Sequence, residues 1–186
     1  NLAARDVFGD YAMKDTMVLD AFLLPALARG VMDQRLTHYQ LFLVNGKAVE
    51  TPGIYKVLSG TTLDLVMEKA GVKNPFRIVA GNILSGDAVF NTDSPINRGI
   101  RELLFLHETE VSKEEEVNCI KCGRCADVCP VGLQPYELNA LVVMRDFDEF
   151  FKKRGGMCVE CGRCSYVCPS KRHLLQSFKT AKKVKR

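Results

Sequence analysis

Apolar positions near the start of the chain recur at helical spacing. Met13, Met17, Leu19, Leu23, Leu24 and Leu27 share one face, and Gly30 is a natural stop. This predicts a helical N-terminal segment over 1–38. The pattern then changes. Tyr39–Val44 (YQLFLV) is a short aromatic and aliphatic run ended by Asn45-Gly46. Both residues of that pair accept positive φ, so a hairpin is expected, with Ala48–Thr51 as the return strand. Pro52-Gly53 makes a second turn and Ile54–Leu58 a further strand. Leu63, Val66, Met67 and Ala70 again have helical spacing. They predict a helix over Leu63–Ala70, capped by Thr61 or Thr62 and closed by Gly71. Phe76–Ala80 and Ala88–Phe90 read as strands around the turn Ser85-Gly86-Asp87, and Ile100–His107 as an apolar link onward. Hairpin, helix and short strands predict a small α+β unit over 39–106.

Residues 107–117 are an acidic linker, with five glutamates and one lysine between Glu108 and Glu116. Pro135–Lys153 has helical periodicity through Leu138, Leu141, Val142 and Phe150, and Gly155-Gly156 ends it. From Ser170 onward the tail carries seven basic residues and no acids, with Leu174, Leu175 and Phe178 on one side. It predicts an amphipathic basic helix over 171–186. A solvated C-terminal helix is the ordinary explanation; a membrane surface or an acidic partner could also use it.

Composition sharpens this outline at one point. All eight cysteines fall in two nearly identical runs, CIKCGRCADVCP at 119–130 and CVECGRCSYVCP at 158–169. A disulfide scaffold would scatter its cysteines across loops behind a signal peptide, and neither is visible, so a reducing cytoplasmic setting is expected. No stretch reaches the roughly 20 apolar residues of a membrane span. The formal charge of +4 does not call for nucleic acid: two four-thiolate clusters at about −2 each would bring the loaded protein to about neutral. The chain starts at Asn1, so a longer parent is expected.

The spacing C-x2-C-x2-C-x3-C-P is that of bacterial ferredoxin runs, in which the fourth cysteine ligates the other cluster. On that rule cluster one takes Cys119, Cys122 and Cys125 with Cys168, and cluster two takes Cys158, Cys161 and Cys164 with Cys129. Residues 118–170 are thus expected to form a mainly helical, ferredoxin-like domain holding two [4Fe–4S] clusters. Gly123 and Gly162 let the backbone bend near each cubane and aim N–H groups at its sulfurs. Lys121, Arg124 and Arg163 place positive charge beside an anionic cofactor. Glu160 stands at the position equivalent to Lys121, so cluster one is expected to be the easier to reduce. Four-cysteine zinc sites use separated C-x2–4-C pairs instead, and a radical enzyme using adenosylmethionine needs a different spacing. No dinucleotide loop, P-loop or H-E-x-x-H is present. His38, His107 and His173 read as surface or packing residues, and no catalytic site is identified.

The stretches TPGIYKVLSGTTLDLVMEKAG (51–71) and RIVAGNILSGDAVFNTDSPINRGIREL (77–103), followed by the paired runs ending CPSKRHLL, resemble the C subunit of the Rnf complex over about 40–186. The cobalamin reductase of propanediol-utilisation microcompartments shares the layout. The resemblance implies an SLBB unit of β-grasp fold at 39–106. It also implies an electron-transfer subunit that passes single electrons between a flavin and NADH site and a ferredoxin-type carrier, within a larger redox complex. That complex would be cytoplasmic or peripheral on the inner face of the membrane. Nothing in 1–38 matches the family's upstream glycine-rich domain, so FMN and NADH are expected only on a segment outside this chain or on a partner. Ala80–Gly86 (AGNILSG) replaces the family's Gly-Gly-Pro-Met-Met-Gly type segment, which makes 39–106 a docking or structural module in expectation. Two other readings stand beside this one: a cobalamin reductase-like component with corrinoid contact at the SLBB unit, and clusters that only brace the fold.

Overall fold

The structure is a computed structural model that describes residue 19 and residues 21–34 and 38–184. Met13 and Met17, with the helix expected around them, lie outside the described residues. A 3-10 turn at Ala21–Leu23 leads into α1, Leu24–Met32. Pro25 sits in its first turn, where no N–H is needed. The helix runs past Gly30 and stops at Asp33, whose N–H donates to the Arg29 carbonyl.

A five-stranded sheet follows, of strands β1 (Tyr39–Asn45), β2 (Gly53–Leu58), β3 (Arg77–Ala80), β4 (Asp87–Val89) and β5 (Glu102–Leu106), in the order β2-β1-β5-β3-β4. β1 pairs antiparallel with β2 and parallel with β5. Helix α2 (Leu63–Ala70) buries Leu63, Val66 and Ala70 against Phe42, Val44, Ile78, Leu103 and Phe105. A hairpin, one helix across a face and a last strand slotted parallel beside the first make the β-grasp arrangement. The fold class is α+β.

Three local expectations are corrected. Ala48–Thr51 is not a strand, and the partner of β1 is β2. A Cβ on Gly46 would lie 2.1 Å from the Phe105 carbonyl oxygen, so the chain turns in beside β5 there. The Ala48 N–H donates to that same oxygen at 3.2 Å. Thr62 precedes α2 without a side-chain cap. The first helical N–H groups, of Leu63 and Asp64, are taken instead by the carbonyls of Ser94 and Thr92. Finally, Ile100–His107 is no link: its core, β5, is the central strand. Leu103 and Phe105 face α2, while Leu104 and Leu106 pack with Val79 and Val111 on the other face. A strand buried on both faces reads as a continuous apolar run without alternation.

The C-terminal part is helical: α3 (Arg124–Asp127), α4 (Pro135–Val143), α5 (Phe147–Lys152), α6 (Arg163–Tyr166) and α7 (Leu174–Val184). The single helix expected over Pro135–Lys153 is broken. Arg145 has φ of +59°, and the Asp146 side chain accepts from the Glu149 N–H to start α5. The basic tail docks its apolar face. Leu174, Leu175, Phe178 and Ala181 are buried, and Phe178 meets Phe150 at 5.8 Å between ring centres. The acidic linker meets the start of the tail: Glu114 pairs with Lys171 at 2.5 Å and Glu116 with Arg172 at 2.8 Å. No helix among the described residues is long and apolar enough to cross a membrane.

Phe178 therefore holds structure. Phe178→Ala is expected to lower stability by about 3–5 kcal/mol, as for other buried aromatic truncations. Urea unfolding followed by circular dichroism measures it; a Phe178 used to bind a membrane would leave the midpoint unchanged.

Candidate iron-sulfur site

Each cysteine run folds the same way. Lys121 and Glu160 take φ of +54° and +57°, and Gly123 and Gly162 take +81° and +77° as caps of α3 and α6. These reversals turn backbone N–H groups onto sulfur. Lys121 N–H donates to Cys119 Sγ at 3.4 Å and Glu160 N–H to Cys158 Sγ at 3.4 Å. After a further left-handed residue, Gly132, Leu133 N–H donates to Cys129 Sγ at 3.3 Å. Such donors stabilise thiolate and tune a bound cluster. Arg124 and Arg163 open α3 and α6 and are exposed.

Cys119, Cys122, Cys125 and Cys168 line one cavity together with Ile120, Gly123, Tyr136 and Leu174. Cys129, two residues past α3, is not among its lining residues. In the second run the Cys164 thiol is influenced by Cys158 and Cys161, and also by Cys125 of the first. Burial, with the neighbouring Cys158 next, pushes the Cys164 thiol up to about 11. Burial likewise raises Cys125 and Cys158. At neutral pH these thiols hold their protons until a metal centre displaces them. Cys129, Cys158 and Cys164 all pack on the core formed by Cys125, Leu138, Phe150 and Phe178.

Among the described residues no three His, Cys, Asp or Glu groups gather as a single metal ion requires. A cubane spreads its four cysteine ligands more widely than one tetrahedral ion does. Four thiols around one cavity, sulfur-directed N–H groups and apolar walls suit such a group at the first run. The second run repeats the turns and the N–H donor.

The two runs differ in cover. Cys119 and Cys122 are exposed, while Cys158 and Cys161 are partly buried. The β3–β4 loop lies on the second run, and a Cβ on Gly162 would fall 2.2 Å from the Leu84 carbonyl oxygen. Lys179 of α7 fastens this loop, donating to Ser85 O at 2.7 Å and Asp87 Oδ1 at 2.8 Å. Neither Leu84 nor the lysines of α7 carry a sequence signal for this role, because only the packing of α7 brings them here.

Residues 118–173 match the family described as a 4Fe-4S dicluster domain. Over 107 residues, 56% of this chain, the sequence is 36% identical to the C subunit of an ion-translocating oxidoreductase complex of Rhodobacter capsulatus. The chain resembles the C subunit of Rnf-type complexes. Two further similar proteins are C subunits as well. That of a proton-translocating ferredoxin:NAD(+) oxidoreductase complex of Clostridium ljungdahlii is 34% identical over 62% of this chain. That of an ion-translocating oxidoreductase complex of Yersinia pestis is 34% identical over 61%. The matches cover 21%, 25% and 19% of those relatives, so the chain spans about a quarter of their length or less. The RnfC-like chain thus carries an iron–sulfur region of electron-transport type.

The glycines separate two effects. Gly123→Ala and Gly162→Ala each force a side chain into left-handed backbone, at about 1–2 kcal/mol. Only Gly162→Ala also drives a methyl into Leu84, whereas Gly123 has open space. Thermal unfolding should therefore show the lower Tm for Gly162→Ala; equal losses would mean the loop contact contributes nothing.

Proposed function

We propose that this chain is the electron-transfer part of an RnfC-like subunit and passes single electrons through two [4Fe–4S] clusters. A flavin and NADH site outside this chain or on a partner would stand at one end of the route, and a ferredoxin-type carrier at the other. Other subunits of the complex, at the inner face of a membrane, are the expected surroundings. Each bound cluster supplies a one-electron couple; the protein supplies ligands, donors and exclusion of water.

The proposed ligands are Cys119, Cys122, Cys125 and Cys168 for the first cluster, and Cys158, Cys161, Cys164 and Cys129 for the second. One observation carries the crossing: Cys168 shares a cavity with the first three cysteines. Gly123, Arg124, Gly162 and Arg163 shape the turns and add positive charge at the run-to-helix junctions. The exposed Cys119, Cys122 and Ile120 make the first run the face for exchange with a carrier. The second run, beneath the β3–β4 loop and α7, is the inner station. In domain terms, 39–106 is the docking module, 107–117 the linker, 118–170 the cluster domain and 171–186 the helix that closes it.

Anaerobically prepared protein is expected to hold about eight irons. Cys129→Ala should leave about four, and adding Cys161→Ala should remove no more, since both serve one cluster. Adding Cys122→Ala to Cys129→Ala should remove the rest. If Cys129→Ala with Cys122→Ala keeps the four and the pair with Cys161→Ala loses all, each run holds its own cluster and the crossing is wrong. Eight irons that do not reduce within the range of biological donors would sink the electron-transfer reading.

A further inference from the structure

The two runs differ in charge at one equivalent position, Lys121 in the first and Glu160 in the second. Both adopt the same left-handed backbone and direct their N–H at the first cysteine of their run. Taken alone, this places a cation beside one cluster and an anion beside the other. The fold changes that balance. Lys182 of α7 donates to Glu160 Oε1 at 2.9 Å and to the carbonyl of Cys158 at 2.5 Å. Its side chain is 21% exposed and that of Glu160 38%, so solvent screens the pair only in part.

The same repeat that relates Cys119 to Cys158 relates Val143, at the end of α4, to Lys182 in α7. Val143 is exposed. The first run therefore has Lys121 with a neutral Val143, and the second has Glu160 with a cationic Lys182. Two substitutions of opposite sign accompany each other across the repeat, and the tertiary structure puts the second pair in contact.

We propose that Lys182 sets the reduction potential of the second cluster, cancelling the charge of Glu160 and placing an ammonium on the backbone of Cys158. The inference rests on the two-cluster reading above and adds a second charge to the comparison of Lys121 with Glu160. Charge and hydrogen bonding beside the ligands are among the levers that move such potentials. Adding one electron makes a cluster more negative, so a nearby cation favours the reduced form. Lys182 is a potential-setting residue and no ligand.

The test is a dithionite titration of the iron-loaded protein with mediators, read by electron paramagnetic resonance. Lys182→Met should move one of the two midpoints downward by at least a tenfold change in the one-electron equilibrium, about 59 mV, and leave the other in place. Lys182→Arg should restore it. Glu160→Gln should move the same midpoint upward, and the double variant should return toward wild type. If both single variants keep about eight irons with both midpoints unmoved, the proposal is overturned. If Lys182→Met loses iron, the double variant decides alone: a midpoint there as high as in Glu160→Gln overturns it too. A wild-type protein without two reducible clusters would instead refute the underlying function, which the iron assay and the wild-type titration show before any variant is made.

Discussion

The packing of Phe150 against Phe178 holds the cysteine region together. Around these two rings Cys125, Leu138, Leu174 and Ala181 close a small core, and Cys129, Cys158 and Cys164 pack at its edge. The ring of Phe150 also fills the space beside Gly155, where a Cβ would meet it at 2.5 Å. This packing fixes the chain just before Cys158. A core this small stabilises little by itself, so cluster binding and folding are expected to be linked, as in other small metal-dependent domains. The helix that completes the core also brings Lys179 and Lys182 to the second run.

That shared helix makes the two runs unequal despite their near identity. One opens outward with exposed thiols. The other lies under a loop of the sheet unit and beside a lysine pair from α7. The sheet unit thereby acts as a cover. Its β3–β4 loop, fastened by Lys179, shields part of one run while its own core stays separate under α2.

Much of the outline was legible in the chain. The bounds of α2 followed from Leu63, Val66 and Ala70 and the left-handed Gly71. β1 and β2 were marked by their β-branched and aromatic runs, and α7 by Leu174, Leu175 and Phe178. Where the reading failed, a neighbour distant in sequence decided the outcome. Asn45-Gly46 has the local signature of a tight hairpin, but Gly46 is used to approach the backbone of Phe105. Thr62 looks like a cap, but Ser94 and Thr92 take the N–H groups. β5 lacked alternation because both of its faces are covered.

The cysteine spacing by itself pointed to iron–sulfur chemistry, because thiolates with two and three residues between them suit a cubane. Spacing could not determine environment. Glu160 reads as a bare negative charge until α7 folds back and sets Lys182 against it. Gly162 reads as a turn until Leu84 arrives beside it. The cysteine runs are local and repeat with the sequence. The charges, cover and packing that distinguish the two runs come from residues far along the chain, and only burial of the Phe178 face of α7 brings them into place.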